Sequence, residues 1–134
     1  MSIEDGVRIR IAVVDDERML LNVFSSLMKQ YHYHADFFSN PQKALEVIYN
    51  DPLRYSLVLT DIRMPQMDGI VFAKRIRDIL PKMPIMFMTG DLSDGLREQA
   101  LALGNVAFLE KPFPLEETLR DSIPKFLNNR DGAS

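Results

Sequence analysis

The chain has no cysteine, which excludes both a disulfide framework and a metal site built from thiolates. It also has no apolar run approaching the roughly 20 residues that a membrane-spanning helix needs. The chain begins with MSIEDGVRIR, which is acidic before it is apolar and so differs from a signal peptide. The formal net charge of −3 argues against nucleic acid as the main partner. These absences favour a cytoplasmic protein without a membrane anchor.

The length of 134 residues suits one domain and is too short for two ordinary ones. Because 46% of the residues are hydrophobic, this domain can bury a core of its own. We predict a single domain over residues 1–128, followed by a frayed C-terminal tail over residues 129–134.

Short apolar segments alternate with longer amphipathic ones along the whole chain. Each apolar segment predicts a strand, and each amphipathic one a helix. The predicted strands cover approximately residues 9–14, 34–38, 55–61, 85–88 and 106–110. Strict alternation of five strands with five helices predicts a parallel sheet that is covered by helices on both faces. The continuously apolar strands agree with burial on both sides.

Helix boundaries can also be predicted from single residues. Ser39 or Asn40 can cap the second helix, and Asp68 can open the third. Gly104 supplies a stop for the fourth helix. The first helix has an apolar stripe at helical spacing, which consists of Leu20, Val23, Phe24, Leu27 and Tyr31.

Polar residues follow four of the predicted strands at their carboxyl ends. They are Asp15 and Asp16, Asp61, Thr89 and Lys111. In a parallel sheet these ends share the edge where ligands bind. Carboxylates a few Å apart repel by roughly 3–4 kcal/mol per pair at an effective dielectric constant near 20, so the cluster needs cations. Lys111 provides one charge, and Mg²⁺ suits a shallow site with two or three protein oxygens.

A carboxylate beside Mg²⁺ is a competent nucleophile toward phosphorus. Asp61 is the best candidate, because the expected strand order places it between the acid pair and Lys111. Taken singly, an Asp at a strand end is more often a helix cap, and Thr89 or Lys111 a turn or surface residue. The joint pattern is what these simpler interpretations do not predict. His32 and His34 are interpreted as partly exposed residues outside the site.

Four motifs resemble the signatures of receiver domains of two-component response regulators, over about residues 8–127. The segment LTDIRMPQMDG at 59–69 resembles the phosphoacceptor loop of that family. The other three signatures are matched by VVDDE at 13–17, MTG at 88–90 and FLEKPF at 108–113. The resemblance implies a flavodoxin-like, doubly wound, five-stranded parallel sheet with five alternating helices and the strand order 2-1-3-4-5.

The resemblance also implies roles for the site residues. Asp61 would accept a phosphoryl group from a histidine kinase or phosphotransfer protein. Asp16, Asp61 and the backbone carbonyl of Arg63 would bind Mg²⁺, with Asp15 acting through a water. Thr89 and Lys111 would bind the phosphoryl oxygens. The domain would then be a signalling switch that catalyses its own Mg²⁺-dependent phosphoryl uptake and slow dephosphorylation.

Phe108 matches the aromatic residue that reports phosphorylation in this family, and Thr89 would couple it to the site. A plain core aromatic is the alternative interpretation. The face formed by the fourth helix, fifth strand and fifth helix would bind a downstream effector domain or protein, and dimerisation on phosphorylation is a further expectation. The Lys111–Pro112 bond is expected to be cis. Gly69 is expected to allow an unusual backbone angle, and Gly90 to keep the pocket open.

Some residues depart from the family pattern or vary within it. Pro114 leaves the fifth helix without a side-chain cap, and Pro124 is expected to kink or end that helix. Arg63 and Asp91 occupy two variable positions beside the phosphoacceptor site. We predict that they form a salt bridge that hinders the water attacking a phosphoaspartate; two solvated side chains that never meet are the alternative.

Two other functions are alternatives to that of a receiver. A Mg²⁺-dependent phosphohydrolase can also use an aspartyl nucleophile, but many such enzymes carry a second acid where this chain has Arg63. No inserted segment large enough for a substrate-selecting cap is present either. A receiver-like interaction module without phosphorylation is the second alternative, and the complete set of acids with Thr89 and Lys111 argues against it.

Overall fold

The computed structural model describes residues 9–90 and 93–133. Five parallel strands form one sheet in the order β2-β1-β3-β4-β5, which confirms the predicted order. The strands are β1 (Arg10–Val14), β2 (His34–Phe38), β3 (Leu57–Asp61), β4 (Ile85–Thr89) and β5 (Val106–Glu110). Their bounds lie within two residues of the predicted ones.

Five helical segments connect and cover the strands. The first four are α1 (Arg18–Gln30), α2 (Pro41–Asn50), α3 (Gly69–Ile79) and α4 (Asp94–Leu101). The fifth, α5, is continuous but changes its winding, with an α-helical turn (Leu115–Glu117), a π-helical segment (Thr118–Ser122) and an α-helix (Ile123–Ala133). Within the described residues, no helix is long and apolar enough to cross a membrane.

The two faces of the sheet carry two separate hydrophobic clusters. Alternate strand residues such as Ala12 and Val58 pack with side chains of α2, α3 and α4 on one face. Ile11 and Leu57 point the other way and pack with side chains of α1 and α5. The strands are therefore buried on both sides, as their continuously apolar sequences predict. This is the doubly wound, flavodoxin-like architecture.

The inner face of α1 differs from the predicted stripe. Val23, a member of that stripe, is 49% exposed, and the side chain of Leu20 is outside those described. Among the described side chains of α1, the buried ones are Leu21, Phe24 and Met28, spaced by three and four positions. Two apolar stripes overlap on this helix, and the one that can reach the sheet beneath it is selected by packing.

Helix caps follow the predictions closely. The Oδ1 atom of Asn40 accepts a hydrogen bond from the Gln42 amide at 2.8 Å, and that of Asp68 accepts one from the Ile70 amide at 2.6 Å. Pro114 precedes α5 and provides no side-chain cap, as expected. The Lys111–Pro112 bond is cis, also as expected.

Pro124 does not end α5, so that part of the prediction is wrong, and the expected kink stays a prediction. The helix continues to Ala133, through residues that we expected to form a frayed tail. The division into a domain at 1–128 and a tail at 129–134 stays a prediction. The disturbance appears one turn earlier, where Thr118–Ser122 winds as a π-helix. Wider winding of this kind removes the clash between a proline ring and the preceding turn.

The π-helical register leaves one carbonyl group without a backbone donor. The Ile123 amide donates to the carbonyl oxygen of Thr118, five residues earlier. In the same register, the carbonyl of Leu119 faces the nitrogen of Pro124, which carries no hydrogen. The Tyr33 hydroxyl donates to this oxygen at 2.7 Å. Tyr33, the residue before β2, thus supplies the hydrogen-bond donor that the Leu119 carbonyl lacks within the helix. Burial raises the pKa of Tyr33 to about 12.

We expect Tyr33→Phe to lower the free energy of unfolding by about 1–3 kcal/mol, because it leaves the Leu119 carbonyl without a donor. The cost should fall to less than half in a Pro124→Ala background, where a backbone amide can replace the hydroxyl. Urea unfolding of the four variants measures both values. An equal cost in both backgrounds would contradict this account of the π-helical segment.

Candidate functional site

Three carboxylates meet at the carboxyl ends of the adjacent strands β1 and β3. Asp15, Asp16 and Asp61 each offer one oxygen, and these oxygens lie within 4.8 Å of one another. Asp15 is fully buried, Asp61 is 7% exposed, and Asp16 faces solvent. The shared edge of a parallel sheet is what brings them together from distant points in the sequence.

Lys111 compensates part of this negative charge. Its Nζ atom lies 3.2 Å from Oδ2 of Asp15, 3.1 Å from Oδ2 of Asp61 and 2.9 Å from Oε1 of Glu17. Burial by itself lowers the pKa of Lys111, but the hydrogen bond to Glu17 and the charges of Asp15 and Asp61 outweigh it, so that the pKa is raised. Lys111 therefore carries a full positive charge at neutral pH.

The two buried carboxylates are also fixed by the backbone. Oδ1 of Asp15 accepts from the Glu17 amide at 2.9 Å, and Oδ1 of Asp61 accepts from the Ile62 amide at 2.8 Å. The other oxygen of each carboxylate faces Lys111. Burial raises the pKa of Asp15, while the Glu17 amide and Lys111 act in the opposite direction. The two side chains are thus oriented before any ligand arrives.

Gly69 lets α3 begin directly against the end of β3. A Cβ atom at this position would lie 2.1 Å from the carbonyl oxygen of Asp61 and 2.7 Å from Cα of Ile62. The Gly69 amide donates to the carbonyl oxygen of Ile62 at 2.6 Å. The expected unusual backbone angle is wrong, because the described glycine with positive φ is Gly104, at 71°. Close approach is what requires glycine at position 69.

Thr89 and Gly90 lie where β4 ends beside β3. Thr89 is 2% exposed, and its carbonyl oxygen accepts from the Lys111 amide at 2.8 Å. A Cβ atom at Gly90 would come no nearer than 4.0 Å to Cβ of Lys111, the nearest described atom. A methyl group therefore fits at position 90 as far as the described residues are concerned.

Phe108 lies on β5 between an aromatic ring and a cation. Its ring stacks on Phe87 with the centroids 5.9 Å apart and the planes at 25°. The guanidinium carbon of Arg97, on α4, lies 5.1 Å from the Phe108 centroid. The ring is half-buried, so it belongs to the core and also reaches the surface. Nothing in the sequence pattern predicted the contact with Arg97.

The other predicted residues are placed as follows. Arg63 is exposed in the loop after β3, and its amide lies 3.4 Å from Oδ1 of Asp61. Asp91 lies outside the described residues, so its salt bridge with Arg63 stays a prediction. His32 and His34 are exposed at β2 and the turn before it, and neither is in the described acidic cluster.

Glu17 is the site residue that sequence reasoning missed. It is the third acid in the segment VVDDE, and its amide and carboxylate bond to Asp15 and Lys111, respectively. The signal was its place two residues after Asp15, in the short turn before α1. The side chain of such a residue is usually solvated, so its spacing alone did not indicate that Glu17 belongs to the site.

The donor set suits a hard divalent cation. Three carboxylates contact a single ammonium group, and the converging set of Asp15, Asp16 and Asp61 offers only oxygen ligands. Because Asp16 is exposed, an ion bound there can keep several water molecules, as Mg²⁺ prefers. The residues therefore fit Mg²⁺.

Comparison with known proteins identifies related sequences and folds. The family model described as response regulator receiver domain matches residues 11–123. The chain is 35% identical over 118 residues to the response regulator receiver protein CpdR of Brucella abortus, covering 88% of this chain and 96% of that protein. It is 34% identical to the transcriptional regulatory protein FixJ of Bradyrhizobium diazoefficiens, covering 85% of this chain but only 58% of that protein.

Among solved structures, a CheY-like response regulator receiver domain protein from Methanospirillum hungatei superposes with a TM-score of 0.86. The two chains are 23% identical, and the match covers 96% of this chain and 100% of the other. At this identity, the likeness supports the fold.

We expect Mg²⁺ to stabilise the protein by about 2.7 kcal/mol at one hundred times its dissociation constant. Asp16→Asn should lose most of this gain, because it removes a ligand. In EDTA the same variant should be as stable as the parent or slightly more so, since repulsion is relieved. Thermal melts with and without Mg²⁺ measure both effects.

Asp68→Asn is the matched control, because it removes one nearby charge while an Asn side chain still caps α3. It should keep the stabilisation by Mg²⁺. Equal stabilisation of the parent and Asp16→Asn would rule out the metal site.

Proposed function

Because the chain belongs to the response regulator receiver domain family, we propose that it is the phosphoacceptor of a two-component phosphorelay. Asp61 receives the phosphoryl group from a histidine kinase or phosphotransfer protein. The observation that carries this proposal is the state of the Asp61 carboxylate. It is almost buried, held by the Ile62 amide at 2.8 Å, and lies 3.1 Å from the Lys111 ammonium.

In the transfer step, a carboxylate oxygen of Asp61 forms a bond to phosphorus. The bond from phosphorus to the donor's imidazole nitrogen breaks, and its electron pair remains on that nitrogen. Lys111 neutralises charge on the phosphoryl oxygens and Thr89 donates a hydrogen bond to one of them; such electrostatic stabilisation is the main catalytic contribution in this kind of transfer. Mg²⁺ held by Asp15, Asp16, Asp61 and the Arg63 carbonyl would add further charge neutralisation when bound.

The change in partner affinity after phosphorylation depends on Thr89 and Phe108. A phosphoryl oxygen draws the Thr89 hydroxyl toward Asp61, and the Phe108 ring turns into the space that is vacated. The face formed by α4, β5 and α5 then changes its affinity for a downstream effector domain or protein, and it supports dimerisation after phosphorylation. Nucleic acid and membrane are not among the proposed partners of this domain, and we assign it to the cytoplasm.

The chain is a switch rather than a turnover enzyme under this proposal. It catalyses its own phosphoryl uptake and a slow dephosphorylation. Arg63 stands where many aspartyl phosphohydrolases have a second acid, which favours a long-lived phosphoaspartate over rapid turnover. The alternative of an interaction module without phosphorylation is disfavoured by the preserved ionic contacts among Asp15, Asp61 and Lys111.

Incubation with Mg²⁺ and acetyl phosphate should add one phosphoryl group to the protein, as measured by intact mass. Asp61→Asn should abolish the addition, because an amide is a poor nucleophile. Asp68→Asn, which changes a nearby exposed acid, should be labelled like the parent. Undiminished labelling of Asp61→Asn, or a label that survives alkali, would contradict the assignment. Sustained release of phosphate from a phosphomonoester would favour a hydrolase instead.

The lifetime of the phosphoaspartate should depend on Arg63 and Asp91. A salt bridge between them would restrict the water that attacks in line with the bond to Asp61. We expect faster dephosphorylation in Arg63→Ala and in Asp91→Ala, with no further increase in the double variant. Because Arg63 is exposed, the pair should add only about 0–1 kcal/mol to stability. Unchanged decay rates of the purified phosphoproteins would refute the gate.

A further inference from the structure

The ammonium group of Lys111 is saturated with acceptors. A lysine side chain has three N–H donors and no acceptor. Three carboxylate oxygens surround Nζ, from Glu17 at 2.9 Å, Asp61 at 3.1 Å and Asp15 at 3.2 Å. If each takes one hydrogen, no donor remains for a fourth acceptor. A phosphoryl oxygen that approaches Lys111 therefore competes with carboxylates that already hold its donors.

The three carboxylates differ in how easily they can leave. The side chain of Asp15 is 0% exposed and that of Asp61 is 11% exposed, and each is held by a backbone amide through its other oxygen. The side chain of Glu17 is 62% exposed. Among the described residues, its carboxylate bonds to Lys111 alone. Water can solvate Glu17 at small cost, whereas removing Asp15 from Lys111 would strand a buried charge.

We propose that Glu17 is a positioning residue that occupies the place of a phosphoryl oxygen at Lys111, and that a phosphoryl group on Asp61 displaces it. This inference rests on the proposed function of Asp61. Glu17 then competes with the phosphoryl group and lowers the affinity of the site for it. It also keeps Lys111 oriented across the sheet edge while the site is empty of phosphate.

The size of the effect follows from the exposure of the pair. Exposed ion pairs contribute little, and such a contribution corresponds to a change in affinity of about two- to fivefold. Removing the competing carboxylate should therefore tighten binding of a phosphoryl analogue by about that factor. A variant that was merely damaged would lose affinity, so the predicted gain separates displacement from loss of structure.

Beryllofluoride, which mimics a phosphoryl group on a carboxylate, provides the test with the full chain at saturating Mg²⁺. Its apparent dissociation constant is measured by NMR titration for the parent, Glu17→Gln and Glu17→Asp. The Gln side chain keeps the reach of Glu but has no charge, whereas the Asp side chain keeps the charge but is one methylene shorter. Glu110→Gln is the matched control, because Glu110 is exposed next to Lys111 in sequence and forms no described ion pair with it.

We expect both Glu17 variants to bind beryllofluoride about two- to fivefold more tightly, and Glu110→Gln to change by less than half as much. Unchanged or weaker binding in both Glu17 variants would overturn the inference. Equal gains in Glu17→Gln and Glu110→Gln, with none in Glu17→Asp, would show that the effect comes from removing any negative charge near the site. That outcome would also overturn the inference.

Two further measurements distinguish competition by Glu17 from metal binding by Glu17 and from a failure of the proposed function of Asp61. The affinity for Mg²⁺ alone, titrated in the same variants, should change less than twofold in Glu17→Asp. A larger loss would make Glu17 a metal ligand and overturn its assignment as a competitor. Failure of the parent to bind beryllofluoride, or undiminished binding by Asp61→Asn, would instead overturn the proposed function of Asp61.

Discussion

One ammonium group shared by three carboxylates is the interaction on which the carboxyl edge of the sheet depends. Lys111 follows the edge strand β5, yet its Nζ atom reaches Asp61 at the end of β3 and Asp15 at the end of β1. Without it, two largely buried carboxylates would repel each other with no charge to oppose them. The parallel sheet makes this contact possible, because it brings the carboxyl ends of β1, β3 and β5 to one edge.

The rest of the site keeps the carboxylates within reach of Lys111. Backbone amides of Glu17 and Ile62 fix the oxygens that do not face the ammonium. Gly69 allows α3 to start against the Asp61 carbonyl, where any side chain would overlap the backbone. An excess of negative charge remains even so, and a divalent cation is the natural complement to it.

Much of this arrangement could be predicted from the sequence, because it depends on local patterns and on strand ends. The strands are continuous apolar runs, and each acid follows one directly. The exposure of Val23 could not be predicted, since two apolar stripes overlap on α1 and only packing chooses between them. The Leu119 carbonyl in the π-helical segment accepts from Tyr33, which lies 91 residues before Pro124. The contact between Glu17 and Lys111 joins residues 94 positions apart, so neither contact could be predicted from local sequence.

Under the proposed phosphorylation of Asp61, the resting contacts would limit how strongly a phosphoryl group can act. Glu17 holds Lys111, and Arg97 lies over the ring of Phe108, a contact of roughly 0.5–1 kcal/mol when exposed. A ligand shifts a conformational equilibrium only by its differential affinity for the two states. Any contact that the phosphoryl group had to break would subtract from that difference, so the response would be the net of new contacts over displaced ones. The contact between Glu17 and Lys111 would also hold the site in one arrangement before phosphorylation, because Glu17 would fill the place of a phosphoryl oxygen.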